Sequence, residues 1–263
     1  MGKPLTRTLG ELLIIDVSTA PVIKKPAGIT WTEGASVPLV GLTAMTLVSP
    51  PYTILPKQLS QSPTIVVLGA SSSVGLYAVQ FAVKKLKAKV IATCSHRNLD
   101  FVKSLGAEHV IDYTSEDIVH RLHTLKPTEG FLSILDCVGG TDLLPHNQAL
   151  LMPRSKEYPE GGAYVTIVGD KTLRSALGGS TIYFWNPRML IRNLLGQYTS
   201  YKYRYACIML RAESELLQEV FHDLKDKGKI VIDSEYEFSE TPQAYEKLNT
   251  ARARGKIVVK VQE

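Results

Sequence analysis

A chain of 263 residues, 44% hydrophobic and 21% charged, can bury the core of one large domain or of two closely joined ones. No unbroken apolar stretch of about 18 residues occurs, and the N-terminus lacks the apolar core of a secretory signal, so neither a membrane span nor secretion is predicted. The net charge of +5 suits anionic ligands such as phosphates without indicating nucleic acid. The three cysteines form no CxxC pair, which favours a reducing intracellular compartment. We expect the cytoplasm, with the mitochondrion as the alternative.

The first predicted helix lies within residues 26–48. Thr30 and Glu33 have the spacing of a capping box, in which each side chain accepts a hydrogen bond from the other residue's backbone N–H. Pro38 follows within the same segment, and proline lacks an N–H and clashes with the preceding helical turn. We therefore expect a helix that is bent or interrupted at Pro38.

Strands and helices alternate through the middle of the chain. Apolar runs bounded by turn residues predict five buried strands, at 64–69, 89–94, 109–113, 131–140 and 162–169. Helical spacing predicts helices at 73–86, 98–106 and 115–125. Gly106 suits a helix C-terminus, and Ser115 is the expected N-cap of the last of these helices. Such alternation is typical of the α/β class, with a doubly wound parallel sheet of the Rossmann type.

The C-terminal part of the chain changes pattern. An amphipathic segment predicts a helix that ends at Gly228, and residues 236–261 indicate strand, helix and strand in that order. Pro242 falls at the start of this last helix, where proline is favoured because the first N–H groups have no helical acceptor.

Residues 69–75, with the sequence GASSSVG, join the first predicted strand to its helix. A dinucleotide-binding turn needs a tight exit from the strand, close backbone approach to the pyrophosphate, and a helix whose N-terminal N–H groups face the phosphates. Aligning the last glycine of GxGxxG on Gly75 places Ala70 and Ser72 at the two earlier glycine positions. Both side chains are small, and a serine hydroxyl can donate to phosphate. The strand–turn–helix context therefore predicts dinucleotide binding.

The end of the second strand indicates which dinucleotide is bound. An NAD site usually places an acidic residue there, against the ribose 2′-hydroxyl. This chain has Ser95 and Arg97 at that point, and no carboxylate before Asp100, which should already be helical. A hydroxyl and a guanidinium suit a 2′-phosphate, so the sequence predicts NADP(H) in preference to NAD(H).

These ordered motifs resemble those of the medium-chain dehydrogenase/reductases, and within them the zinc-free branch similar to quinone oxidoreductases. The matching segments are GASVPLVGLTAMTLV (34–48), VVLGASSSVGLYAVQFA (66–82), SLGAEHVIDYTSED (104–117), ILDCVGG (134–140), GAYVTIVGD (162–170) and ARARGKIVVKV (251–261). The resemblance implies a cofactor domain over residues 37–234, a remnant of a GroES-like catalytic β domain over 1–36, and a return to that domain over 235–263. Most of the catalytic domain has no counterpart in this sequence.

The resemblance also implies where the cofactor is held. The implied contacts are Thr43 near the nicotinamide, Ser71, Ser72, Ser73 and Val74 at the pyrophosphate, Ser95 and Arg97 at the 2′-phosphate, Tyr113 at the adenosine phosphate, and Cys137, Val138, Val168 and Gly169 beside the cofactor. Strand ends of this kind are where open α/β sheets bind ligands. Neither a catalytic proton donor nor a metal ligand is identified.

We expect these features to support NADPH-dependent hydride transfer to a quinone or an α,β-unsaturated carbonyl. The cysteines and histidines lack the spacing of zinc ligands, so we expect the reaction to proceed without zinc. Two alternatives stay open: a truncated, catalytically inactive protein that binds NADPH or acts as a scaffold, and a trans-acting enoyl reductase. The expected partners are the small carbonyl or quinone substrate and, from the resemblance, a second copy of the chain in a homodimer.

Overall fold

The computed structural model describes residues 9–18, 20–55, 62–170, 186–198, 203–225, 228–250 and 252–261. Two compact units divide the chain: Thr43–Leu210 forms the larger, and Met1–Leu42 together with Arg211–Glu263 forms the smaller. Contacts thus group residues 211–234 with the chain ends, whereas the resemblance assigns them to the cofactor domain. The boundaries at 36/37 and 234/235 stay a prediction.

The larger unit contains a six-stranded sheet in which all paired strands are parallel. Its strands are β1 Thr64–Leu68, β2 Lys89–Cys94, β3 His109–Asp112, β4 Ser133–Asp136, β5 Ala163–Thr166 and β6 Arg204–Cys207. Their spatial order is β3-β2-β1-β4-β5-β6. The chain moves outward from β1 in one direction and from β4 in the other, which is the Rossmann order. The predicted α/β fold is confirmed.

Helices of the larger unit pack on both faces of its sheet. Over both units, the described α-helices are α1 Trp31–Ser36, α2 Pro38–Val48, α3 Gly75–Leu86, α4 Leu99–Lys103, α5 Ile118–Leu125, α6 Asn147–Leu150, α7 Pro187–Tyr198, α8 Ser214–Lys225 and α9 Thr241–Asn249. Val66 and Leu68 of β1 pack in one apolar cluster with Leu122 of α5. Ile65 and Val67, which point to the opposite face, are also fully buried, and α3 contacts β1 and β2. Burial of both faces explains why β1 is a continuous apolar run.

The predicted capping box at the start of α1 is confirmed. The Glu33 N–H donates to Thr30 Oγ1 at 3.1 Å, and the Thr30 N–H donates to Glu33 Oε2 at 2.8 Å. Helix α1 ends at Ser36 and α2 begins at Pro38, so the proline interrupts the helix as expected.

The predicted N-cap of α5 is wrong. The helix begins at Ile118, and its cap is Asp117, whose Oδ1 accepts the His120 N–H at 2.7 Å. Ser115 lies earlier, in a turn where its own N–H donates to the Asp112 carbonyl at 3.1 Å. The cap therefore lies two residues later than predicted, after the turn that follows β3.

The sixth strand is not predicted from the sequence. Strand β6 is a short RYAC segment whose polar and aromatic residues form no apolar run. Tyr205 is nevertheless fully buried, because its ring stacks on Tyr164 of β5 with centroids 5.8 Å apart and planes 3° apart. The strand therefore depends on its pairing with β5 and not on a local pattern.

The smaller unit contains a parallel pair of strands, β7 Ile232–Glu237 and β8 Lys256–Lys260, connected through α9. This confirms the predicted strand, helix and strand, with Pro242 in the first turn of α9. Helix α8 closes near its predicted end, where the Gly228 N–H donates to the Leu224 carbonyl at 3.1 Å. Among the described helices of the chain, none is both long and apolar enough to cross a lipid bilayer.

The N-terminal segment has no regular secondary structure where it is described. The described part of residues 9–30 contains no strand, and the assignment of residues 1–36 to a remnant of a β domain stays a prediction. Leu12 and Ile14 are 92% and 90% exposed. A strand gains stability from a ladder partner and a covered apolar face, and the described residues supply neither to this segment.

Candidate functional site

The carboxyl ends of β1, β2 and β3 are joined by backbone hydrogen bonds at one edge of the sheet. The Gly69 N–H donates to Thr93 Oγ1 at 3.0 Å, and the Ala70 N–H donates to the Thr93 carbonyl at 2.9 Å. The Tyr113 N–H donates to the Cys94 carbonyl at 3.2 Å. The turn after β1 is thus held against the end of β2, and the buried Thr93 hydroxyl has a role that the sequence analysis missed.

The ends of β4 and β5 continue this edge. The Cys137 N–H donates to the Leu68 carbonyl at 3.2 Å, and the Gly140 N–H donates to the Gly169 carbonyl at 3.1 Å. Of the implied cofactor contacts, eleven therefore lie directly after the ends of β1 to β5. Thr43 lies instead in α2, where it is half-buried, and its place near the nicotinamide stays a prediction.

The turn after β1 has the geometry that a dinucleotide-binding turn requires. Gly69 has a φ of 72°, a conformation that side chains disfavour, and this turns the chain sharply out of the strand. A Cβ at Gly75 would lie 2.2 Å from the Gly69 carbonyl oxygen and 2.9 Å from Ala70 Cα. The start of α3 therefore packs directly on the strand end, as predicted for the last glycine of the motif.

Ser72 shapes the first turn of α3. Its Oγ accepts the Gly75 N–H and its carbonyl accepts the Leu76 N–H, both at 3.1 Å. The hydroxyl still has its proton to donate outward. Ser71, Ser72, Ser73 and Val74 are all half-exposed at this end of a 12-residue helix. The helix dipole and the small side chains make this end suitable for an anion.

The ends of β2 and β3 carry polar side chains. Ser95 is half-buried, and Arg97 and Tyr113 are exposed. His96 opens a 3₁₀ turn, His96–Asn98, and its Nδ1 lies 3.0 Å from Asp112 Oδ2. This pair could not be predicted from the sequence, because it depends on the parallel register that places Cys94 beside Asp112.

Asp136 organises the loop after β4. Its side chain is fully buried, and its Oδ1 accepts the N–H groups of Val138 at 3.0 Å and Gly139 at 2.8 Å. The Tyr164 hydroxyl donates to Oδ2 at 3.0 Å. Burial raises the pKa of the Asp136 carboxyl above its usual range, while these hydrogen bonds oppose the rise. A lone Asp at the end of the apolar run ILDC was the available sequence signal.

Two further contacts define the middle of the edge. A Cβ at Gly69 would lie 2.2 Å from Val138 Cγ1, so the partly exposed Val138 side chain lies directly over Gly69. Thr166 Oγ1 accepts the N–H groups of Val168 and Gly169 at 3.1 Å and 2.9 Å. Burial strongly raises the pKa of the adjacent Cys137 thiol, so that this thiol stays protonated at neutral pH and is a poor nucleophile.

The residues of this edge fit a dinucleotide. At Gly75 the absence of a Cβ lets the helix N-terminus approach the strand, and the small residues after Gly69 leave the first helical turn accessible. The site also lies between β1 and β4, where the strand order reverses and open α/β sheets form a crevice. Within the described ranges, no group of three or more His, Cys, Asp or Glu side chains is arranged to hold a metal ion.

Comparison with known proteins agrees with this geometry. Residues 105–259 match a family model described as zinc-binding dehydrogenase. A zinc-type alcohol dehydrogenase-like protein of Schizosaccharomyces pombe is 34% identical over 238 residues, which are 89% of this chain and 61% of that protein. The human mitochondrial NAD(P)H oxidoreductase RTN4IP1 is 33% identical over 258 residues, which are 97% of this chain and 61% of that protein.

A quinone oxidoreductase from Coxiella burnetii has the same fold, with a TM-score of 0.67 and 26% identity, over 91% of this chain and 64% of that one. The chain therefore spans less than two thirds of the length of each of these relatives. Because the family model matches more than half of the chain and the sheet has the order of a dinucleotide-binding domain, this chain belongs to the zinc-binding dehydrogenase family, within the medium-chain dehydrogenase/reductases.

Proposed function

We propose that this chain is an NADPH-dependent oxidoreductase that reduces a quinone or an α,β-unsaturated carbonyl without zinc. The observation that carries the proposal is the turn at Gly69 and Gly75, which brings a helix N-terminus to the switch point of the sheet. The names of the human and Coxiella relatives, an NAD(P)H oxidoreductase and a quinone oxidoreductase, support the same reaction class.

In this proposal, different side chains at the strand ends bind different parts of the cofactor. The half-exposed serines at the start of α3 would bind the pyrophosphate, and Ser95 and Arg97 would bind the 2′-phosphate. Val138 would pack beside the cofactor from the loop that Asp136 orders. When bound, the nicotinamide supplies a hydride to an acceptor that also takes up one proton. The proton donor is not among the contacts assigned above, so solvent or a tyrosine fills that role in the proposal.

The proposal is tested with the purified full chain. Calorimetry measures the dissociation constants of NADPH and NADH, and oxidation of NADPH is then followed with quinones, enones and carrier-bound enoyl thioesters, before and after treatment with a metal chelator. We expect NADPH binding and turnover of quinones or enones that chelation does not reduce. Absence of binding to either nucleotide would refute the proposal, and loss of turnover on chelation would refute the zinc-free part.

The second candidate function is NADPH binding without turnover. It is favoured by the fact that each assigned site residue has a role in binding the cofactor and none has a role in proton transfer. Tight NADPH binding with no oxidation on any acceptor would establish it in place of the enzyme. Turnover confined to carrier-bound enoyl thioesters would instead indicate the trans-acting enoyl reductase.

Arg97→Ala tests the assignment of the 2′-phosphate. We expect the dissociation constant of NADPH to rise about tenfold, since one charge-assisted hydrogen bond is lost, while that of NADH stays unchanged. Calorimetric titration of each nucleotide measures both constants. Lys103→Ala is the control, because Lys103 is an exposed cation on the neighbouring helix α4. An equal effect on NADPH and NADH would contradict the assignment.

A further inference from the structure

A surface imidazole is anchored between the two residues assigned to the 2′-phosphate. His96 lies between Ser95 and Arg97 in the chain, and its Nδ1 is 3.0 Å from Asp112 Oδ2. The His96 side chain is 82% exposed, whereas that of Asp112 is 6% exposed. One ring nitrogen is therefore held by a buried carboxylate, and the other, Nε2, faces solvent at the end of β2.

The carboxylate that holds this imidazole is itself firmly placed. Asp112 Oδ1 accepts the Thr114 N–H at 3.0 Å and the Thr114 hydroxyl at 2.6 Å. The Asp112 N–H donates to Glu116 Oε1 at 3.0 Å. The Thr114 hydroxyl and the other hydrogen bonds lower the pKa of Asp112 to about 2, so the carboxylate is charged at neutral pH.

The other ionisable groups around the pair come from four segments. Burial raises the pKa of the Cys94 thiol at the end of β2 to about 11, so that this thiol is neutral. Behind β3, Glu116 forms an ion pair with Arg121 of α5 at 2.8 Å. The segment of the imidazole itself adds Arg97, and α4 adds Asp100 in its first turn. Among the described residues, Asp112 is the charged group within hydrogen-bond distance of the His96 imidazole.

We propose that protonated His96, oriented by Asp112, is a third residue of the 2′-phosphate site and makes the preference for NADPH over NADH depend on pH. This inference rests on the proposed function. With Nδ1–H bonded to Asp112, neutral His96 presents Nε2 as an acceptor, which a dianionic phosphate cannot use because it has no proton to donate. Protonation turns Nε2 into a donor. An incoming phosphate favours the protonated form, and histidine is the side chain whose charge ordinarily changes between about pH 5 and 8, so 2′-phosphate recognition strengthens as the pH falls.

The test compares 2′,5′-ADP, which carries the 2′-phosphate, with 5′-AMP, which lacks it, by calorimetry on the full chain. For His96→Gln we expect the dissociation constant of 2′,5′-ADP to rise about tenfold at about pH 6 and less than about twofold at about pH 8. The constant of 5′-AMP should not change. The phosphate of the ligand ionises in the same range, but this contribution is common to wild type and variant and cancels in their ratio.

His96→Lys keeps a cation at both pH values, so we expect it to bind 2′,5′-ADP tightly at both. His109→Gln is the control, because His109 is a half-exposed histidine beside a carboxylate at the opposite end of β3. If His96→Gln had the same ratio of dissociation constants for 2′,5′-ADP and 5′-AMP as the wild type at both pH values, this inference would be overturned. The proposed function would still stand. Failure of the wild-type chain to bind either ligand would overturn both.

Discussion

Replacing Gly75 with alanine is expected to abolish measurable NADPH binding and to lower the free energy of unfolding by about 3 kcal/mol. The added Cβ would lie 2.2 Å from a backbone carbonyl oxygen, that of Gly69, and 2.9 Å from Ala70 Cα. Backbone atoms cannot rotate away as a side chain can, so α3 must move off the end of β1. The helix N-terminus then no longer faces the site. Calorimetry measures the binding, and denaturant unfolding followed by circular dichroism measures the stability.

Gly34→Ala is the matched control for this variant. Gly34 is also a helical glycine, in α1, but a Cβ there would meet only the flexible side chain of Lys25, at 3.4 Å. Alanine has the higher helix propensity, so this variant should be as stable as the wild type or slightly more stable. If Gly75→Ala retained wild-type stability and NADPH affinity, the turn would not be the dinucleotide site that we propose.

Replacing Asp136 with alanine is expected to lower the free energy of unfolding by about 4 kcal/mol, because three donors around a buried position lose their acceptor. These are the N–H groups of Val138 and Gly139 and the hydroxyl of Tyr164. The loop after β4 should loosen, and NADPH binding should weaken with it. Asp136→Asn keeps an oxygen for the two N–H groups, so its effect should be much smaller. Urea unfolding of each variant measures the difference.

The contribution of Asp136 to the free energy of unfolding should depend on pH. Burial raises the pKa of Asp136 in the folded state above its unfolded value of about 4. The stabilisation from protonating Asp136 is therefore complete below the unfolded pKa and is lost as the pH rises through the folded pKa. Relative to Asp136→Asn, the wild type should thus become less stable as the pH rises above about 4. Asp142→Ala, an exposed change in the same loop, leaves Asp136 in place and should therefore follow the wild-type pH profile. A parallel pH profile for wild type and Asp136→Asn would contradict this account.

Local signals in the sequence account for most of the fold. The runs TIVVL and KVIATC are buried on both faces of the sheet, so continuous apolar character identifies them as strands without knowledge of their neighbours. The Thr30 capping box and the break at Pro38 depend on groups only a few residues apart. The role of Gly75 also follows from its short distance along the chain from the end of β1.

Features that depend on pairing between strands could not be predicted in the same way. Strand β6 is buried through stacking of Tyr205 on Tyr164, which requires β5 to lie alongside. Ser115 was the expected helix cap, but α5 begins at Ile118 with Asp117 as its cap, because a turn that closes on the Asp112 carbonyl occupies Ser115 and Glu116. The burial of β6 thus depends on a neighbouring strand, and the start of α5 depends on a turn at the end of β3.

Some features of the candidate site could likewise be predicted from the sequence, whereas others depend on the tertiary structure. The sequence by itself determined that the chain has a Rossmann-type sheet, that the turn after β1 consists of small residues and ends in a glycine that α3 needs, and that Ser95 and Arg97 follow β2. The tertiary structure alone decided that Thr93 holds the turn, that Asp136 orders the loop after β4, and that Asp112 holds His96. Parallel pairing brings strand ends together that lie far apart in the sequence, and the polar side chains at those ends acquire partners only when the register is set.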